Sequence, residues 1–308
     1  MLDIKENVPL SQHSTFQVGG AARYAVAVQT VDELQEAIDW AKTNKVPWRV
    51  LGSGSNVLVS DTGFKGLIIW YRDKSFSVDE ESGYIEVAAG ALTAVVAGAI
   101  ARAGLTGFEW AAGVPGTIGG AIYGNAGASG GEMKDSIREV FVLEKKGLKT
   151  YKLDECEFKY RSSRFKTNPG VIVGATMKCV RAEQGVEPLE KVKEVLKYRM
   201  DTQPKGLASS GCIFKNYEPS DQEIQALQKK NIPENFLSNR RIPTGWLIEN
   251  AGLKGFQIGT AQISPVHGNF IVNVGDANAA DILAVIDHVK KTVQEKFGIE
   301  IEEEISIV

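Results

Sequence analysis

Apolar residues recur with two periods along this 308-residue chain. Leu34, Ala37, Ile38 and Ala41 fall at i, i+3, i+4 and i+7, one face of an amphipathic helix. Thr30 and Glu33 stand ahead of it as a capping box, and Pro47 closes it. β-rich runs flank it at 24–28 and 48–51, and others follow at 57–59 and 67–70. From about 71 to 180 the pattern is mostly short strands. A helix over 93–103 interrupts them, with Gly104 in the C′ position. Val95, Val96, Ala99 and Ile100 make that helix apolar nearly all round, which predicts an enclosed element. Further helices are predicted over 188–200, with Leu189, Val192, Val195 and Leu196 inward, and from Ser220, capped by Glu223. A short one covers 246–250, and a long one over 279–297 stops at Gly298. The tail 299–308 alternates as a last strand, with Ile299, Ile301, Ile305 and Ile307 on one face. Helices and strands mix without strict βαβ alternation, so the fold class is α+β, in two or three domains.

Composition narrows the function classes. Hydrophobic residues make up 43% and charged residues 24%, enough for a sizeable core and too apolar for disorder. The net charge of −3 leaves no general basic surface, which argues against nucleic acid as a partner. Cys156, Cys179 and Cys212, with His13, His267 and His288, show no metal-ligand spacing, so no metal is expected. An odd, sparse cysteine set fits a reducing cytoplasm. The opening MLDIKENVPL has neither the basic nor the apolar region of a signal peptide. The longest uncharged stretch, 87–101, falls short of the roughly 20 residues of a membrane span, so no membrane association is expected.

The candidate chemistry is concentrated in five places. Gly52, Ser53, Gly54, Ser55 and Asn56 follow a strand as a tight turn able to aim several backbone N–H groups at an anion. Val57 stands where a Rossmann fingerprint has its third glycine, no helix follows, and no Walker lysine occurs. The segment 113–131 is so dense in glycine that it is expected to be a long ordered loop rather than a helix or strand. Val114, Pro115, Ile118 and Ile122 anchor it, and Thr117, Asn125 and Ser129 offer side-chain hydrogen bonds. YRSSRFK at 160–166 is a compact cationic turn suited to carboxylate or phosphate. SSGCIFKN at 209–216 flanks Cys212 with polar residues, and the last strand carries Glu302, Glu303 and Glu304.

These motifs, with STFQVGG at 14–20, AGVPGTIGGAIYGNAG, GWLIENAGLKG and the terminal EEEI, resemble the UDP-N-acetylenolpyruvoylglucosamine reductase family over essentially the whole chain. The resemblance implies a vanillyl-alcohol-oxidase-type FAD region of two α+β subdomains and a smaller α+β substrate domain. The implied boundaries are 1–70, with 299–308 returning near it, then 71–183, then 184–298. It implies non-covalent FAD on Gly52, Ser53, Gly54, Ser55 and Asn56 and on Gly113, Pro115, Gly116, Thr117, Gly119, Gly120, Asn125 and Gly127. NADPH is the implied co-substrate, and UDP-N-acetylglucosamine enolpyruvate the small-molecule substrate reduced for peptidoglycan synthesis. Arg161 matches the family's catalytic arginine and Glu304 its glutamate, with Glu303 the other candidate. Cys212 stands where many members have a proton-donating serine. Tyr160, Arg164, Lys215, Asn216, Lys254 and Gln262 are the implied substrate contacts. Tyr217 and Ile305-Ser306 depart from the family's usual proline and Val-Arg. The spacing between YRSSRFK and SGCIFKN resembles the compact branch, which lacks a tyrosine-bearing lid, and a cytoplasmic monomer is expected. Two other readings compete: an FAD oxidase of a small alcohol, which needs no NADPH, and a flavin-binding sensor without turnover.

Overall fold

The computed structural model describes residues 2–168 and 170–308. They pack as two compact units whose segments alternate along the chain: 1–8, 22–54 and 64–201 in the first, and 9–21, 55–63 and 202–308 in the second.

The first unit holds two sheets around one core. The smaller sheet orders its strands as Lys5–Pro9, Ala21–Val28, Phe64–Tyr71 and Trp48–Leu51. Phe64–Tyr71 runs parallel to both Ala21–Val28 and Trp48–Leu51. The crossover between those two is the helix Val31–Thr43. It starts at the expected capping box of Thr30 and Glu33 and buries Leu34, Ala37, Ile38 and Ala41. The larger sheet is antiparallel, in the order Gly147–Lys152, Ile137–Glu144, Val171–Lys178, Tyr84–Ala88 and Phe76–Val78. The mixture of a parallel layer and an antiparallel layer gives the α+β class predicted from the pattern.

The second unit is built on the helix Ala279–Phe297. Ile282, Val285, Ile286, Val289 and Val293 bury one stripe of it against Phe16, Leu58, Ile213, Phe214, Leu247 and Ile271. The antiparallel strands Gln257–Ile258, Ala261–Ile263 and Ile271–Asn273 lie in the same unit. Asp61 caps the long helix from a distant part of the chain: its two carboxylate oxygens accept the N–H groups of Ala279 at 2.7 Å and Ala280 at 3.0 Å.

Four expectations are corrected. The glycine-dense segment is not one long loop: Ile118–Gly124 is helical, and Gly127–Ala128 pairs with Gly131–Glu132. The helix forms because Thr117 caps it and Ile118, Ala121 and Ile122 are buried. Its glycine density serves packing, since a Cβ at Gly119 would sit 2.8 Å from the Ala89 Cβ. The helix Thr93–Arg102 is not enclosed: Val96, Ala97, Ile100 and Ala101 form a single buried stripe, and Val95 is 49% exposed. In Pro188–Thr202 only Val192 among the four expected apolar residues is buried, while Leu189 and Leu196 are exposed. This helix meets its unit along a narrow line, where Arg199 donates to the Gly113 carbonyl. The tail is not a continuous strand. Ile299, Ile301 and Ile305 are buried, Glu303 makes a lone bridge to Phe214, and only Ser306–Ile307 pairs, in parallel, with Val57–Leu58. Ile307 is therefore outside the core, at 52% exposure.

Candidate active site

In the first unit, the strand Trp48–Leu51 ends in Gly52, Ser53 and Gly54. Gly54 has φ +71, a conformation that side chains rarely adopt. Gly52 lies so close to Thr117 that a Cβ there would be 2.6 Å from the threonine Oγ1. The absent side chain thus brings the two expected cofactor segments into contact. Ser53 Oγ is buried with no protein hydrogen-bond partner. A buried hydroxyl is normally satisfied, so this one fits a polar group supplied by a ligand. Ser55 and Asn56 belong to the second unit, where Asn56 Nδ2 donates to the Glu304 carbonyl at 3.1 Å and its own carbonyl accepts the Ser306 N–H at 3.0 Å.

The start of the glycine segment is stitched to residues 89–93, which the sequence did not single out. Gly119 N–H donates to Ala89 O and Ile118 N–H to Ala91 O, each at 2.8 Å. Thr93 N–H donates to Gly116 O at 3.1 Å, and its buried hydroxyl donates to Val114 O at 2.5 Å. Three backbone bonds and one side-chain bond from five residues make this an ordered platform and not a linker. The small residues Ala89, Gly90 and Ala91 before Leu92 and Thr93 were the available signal. Pro115 and Gly120 stay exposed on the platform. Asn125, expected among the cofactor contacts, has no exposed surface, and both its amide donors are committed to protein oxygens.

Arg161 occupies the corner of a tight turn closed by Lys159 N–H to Ser162 O at 2.9 Å and Ser162 N–H to Lys159 O at 3.1 Å. Its φ is +52, a strained value for an arginine. Its guanidinium lies over the Tyr160 ring, 5.3 Å from the centroid, and donates through Nη2 to Gly127 O at 2.7 Å. Lys166 Nζ donates to the Arg161 carbonyl at 2.8 Å. Arg164 is placed differently. It lies over Tyr151 at 4.4 Å, donates to Glu155 O at 2.6 Å, and approaches Glu157 at 3.6 Å.

In the second unit, Cys212 and Glu304 lie on adjoining segments. Phe214 bridges Glu303, Glu304 N–H donates to Ile213 O at 2.7 Å, and Lys215 N–H donates to Glu302 O at 2.9 Å. Glu303 forms an ion pair with Lys290 at 2.9 Å, which gives this carboxylate a structural partner on the long helix. Glu302 pairs with Lys215 at 2.8 Å, and the lysine holds its carboxyl below the usual range. Asn216 accepts the Thr244 N–H at 3.2 Å. Lys254 pairs with Glu249 at 2.9 Å, and Gln262 reaches the adjacent Gly255 carbonyl at 3.4 Å.

Asn269 was missed. Its buried amide accepts the Phe214 N–H at 3.0 Å and donates to the Phe214 carbonyl at 2.8 Å, and its own carbonyl takes the Ile213 N–H at 2.9 Å. The side chain and main chain of one residue thereby act together as a strand edge for the residues that follow Cys212. Asn269 N–H also donates to His267 Nδ1 at 3.2 Å. Burial, helped by the Lys254 charge, pushes the His267 pKa down.

A protein from Caldicellulosiruptor saccharolyticus described as UDP-N-acetylenolpyruvoylglucosamine reductase is 40% identical over 310 residues, covering 100% of this chain and 92% of that protein. The chain belongs to the UDP-N-acetylenolpyruvoylglucosamine reductase family. The family's C-terminal domain matches residues 203–308, and a family described as FAD binding domain matches 22–150. The reductase of Bacillus subtilis is 36% identical over 98% of this chain and 93% of its own length. The crystal structure of the reductase from Thermus caldophilus superposes with a TM-score of 0.78 at 34% identity, covering 100% of this chain and 99% of that one. The matched FAD binding domain is not of the Rossmann kind: after Gly52–Asn56 the chain enters the strand Val57–Leu58 and not a helix.

Proposed function

We propose that this reductase converts UDP-N-acetylglucosamine enolpyruvate to UDP-N-acetylmuramate for peptidoglycan synthesis, with FAD as its cofactor and NADPH as its electron source. The observation that carries the reading is the full-length relationship at 40% identity, because glycine-rich cofactor segments alone would serve any FAD enzyme. The regions 1–70 and 71–183 would hold the cofactor. Gly52, Ser53, Gly54, Ser55 and Asn56 would contribute from one side, and Gly113, Pro115, Gly116, Thr117, Gly119, Gly120 and Gly127 from the other. Residues 184–298 would form the substrate domain, and the protein would work as a cytoplasmic monomer. No helix among the described residues is long and apolar enough to cross a membrane.

Bound FAD supplies the hydride relay from NADPH, which leaves as NADP⁺. The enolpyruvyl double bond gains that hydride at C3 and a proton at C2. Negative charge builds on C2 and the adjoining carboxylate before the proton arrives. Arg161 carries a fixed planar cation for that charge, the kind of preorganised term that usually dominates catalysis. Glu304 would polarise the same carboxylate. Cys212 would deliver the proton, since a thiol gives one up more readily than a serine hydroxyl. Tyr160, Lys215, Asn216, Lys254 and Gln262 would orient the nucleotide sugar. Arg164, already packed on Tyr151 and bonded to Glu155, would hold the turn.

The test separates the two half-reactions. NADPH should bleach the visible flavin band, and the enolpyruvyl sugar should restore it. Cys212→Ala should bleach normally and recover at least about tenfold more slowly, whereas Cys212→Ser should retain activity with a shifted pH profile. Recovery of the Ala variant at the wild-type rate would remove Cys212 from the chemistry. Recovery by air without any enolpyruvyl sugar requirement would point to an oxidase instead.

A further inference from the structure

We propose that Asn125 is a positioning residue for Arg161. The assignment rests on the reading above, in which Arg161 meets the charge developing on the substrate.

Asn125 ends the helix Ile118–Gly124 with φ 43 and ψ 56, a left-handed conformation in which glycine is the least strained residue. An asparagine there needs a use for its side chain, and all of its hydrogen-bonding groups have one. Nδ2 donates to Glu132 Oε2 at 2.8 Å and to the Lys159 carbonyl at 3.0 Å, and Oδ1 accepts the Lys134 N–H at 3.1 Å. Lys159 is the first residue of the turn that carries Arg161. Its carbonyl therefore takes two N–H groups, one closing the turn from Ser162 and one from Asn125.

The turn is fastened to the glycine segment at two more points. Ser163 Oγ donates to Tyr123 O at 2.8 Å, and Arg161 Nη2 donates to Gly127 O at 2.7 Å. A Cβ at Gly127 would lie 2.7 Å from the Gly131 carbonyl and 3.1 Å from Arg161 Nη1, so its absence serves the hairpin first and leaves room for the arginine. An arginine at φ +52 keeps that conformation only if its surroundings impose it. Asn125 and Ser163 are both buried, at 0% and 3% exposure, so their hydrogen bonds operate in a low local dielectric. A misplacement of about 1 Å in a catalytic group can cost on the order of 100-fold in rate.

Asn125→Gly keeps the left-handed backbone and removes the side chain's hydrogen bonds to Glu132, Lys134 and Lys159. It should retain flavin and be bleached by NADPH within about twofold of wild type, yet recover with the enolpyruvyl sugar at least about tenfold more slowly. The loss should fall on kcat more than on KM. Asn125→Asp should not rescue it, because the new carboxylate would face both Glu132 and the Lys159 carbonyl. In an Arg161→Lys background, Asn125→Gly should add less than about threefold, since both changes remove one function. In protein stripped of FAD, the Ser162 amide should exchange with solvent faster in Asn125→Gly. Loss of flavin, equal slowing of both half-reactions, or full additivity with Arg161→Lys would overturn the assignment. Wild-type protein whose flavin the sugar cannot restore would sink the functional reading and this assignment together. Wild type that recovers, alongside an equally fast Asn125→Gly, would sink this assignment alone.

Discussion

The three cysteines show how much a single residue depends on its surroundings. Cys156 and Cys179 are buried, and desolvation pushes their thiols up to about 12 and about 11. Cys212 is only half-buried. Only thiolates are alkylated, so iodoacetamide at mildly alkaline pH should add one label to the folded protein. Peptide mapping should place it on Cys212, and Cys212→Ser should take up none without denaturant. Label on Cys156 or Cys179 at a comparable rate would mean that the first unit opens readily. Arg161, Cys212 and Glu304 were legible as residue types because their motifs are contiguous in the chain. The long-range hydrogen bonds of Asn125 and Asn269 were not legible. Their partners, Lys159 and Phe214, lie 34 and 55 residues away.

Elements follow local signals wherever the signal is itself local. The capping boxes at Thr30 and Ser220 and the left-handed Gly298 mark helix ends as the pattern predicts. Glycine density misled, because it was read as a propensity when it records close approach of Gly119 to Ala89 and of Gly131 to Trp110. Asp61 is the converse case, a helix cap with no local signal, 218 residues from the Ala279 N–H it accepts. Removing it leaves two N–H groups at the first turn of Ala279–Phe297 with no carboxylate, although Asn278 still caps Asp281 N–H at 2.7 Å. Asp61→Ala should cost about 1 kcal/mol, roughly 2–4 °C in Tm, and Asp61→Asn should recover part of it. A Tm unchanged within error in the Ala variant would mean that solvent satisfies that end equally well.

Stability against acid belongs to the whole molecule, and His267 gives it a direction. Its pKa lies below 6.5 in the folded protein, chiefly because burial disfavours the cation, with Lys254 adding to the effect and Glu249 opposing it. The unfolded chain therefore takes up this proton first as pH falls. The stability His267 contributes is complete above pH 6.5 and is lost as pH drops toward the folded value. Protonation also removes Nδ1 as acceptor for the Asn269 N–H. The fall in Tm between pH 7 and about 5.5 should shrink in His267→Gln, which cannot charge. An identical fall in both proteins would assign the acid sensitivity to other groups.

The sequence by itself determined the class of the fold, the helix carrying the parallel crossover, the long helix of the second unit, the family, and the residue types available for chemistry. Each of these is written in short-range periodicity or in contiguous motifs. The tertiary structure decided what no local window contains. It placed 9–21 and 55–63 with the second unit, and it split the tail into buried isoleucines and a two-residue strand. It tied Glu303 to Lys290, while Glu304 N–H went to the residue after Cys212. Which partner each carboxylate in a row of three meets depends on distance in space, and the order of residues in the row does not record it.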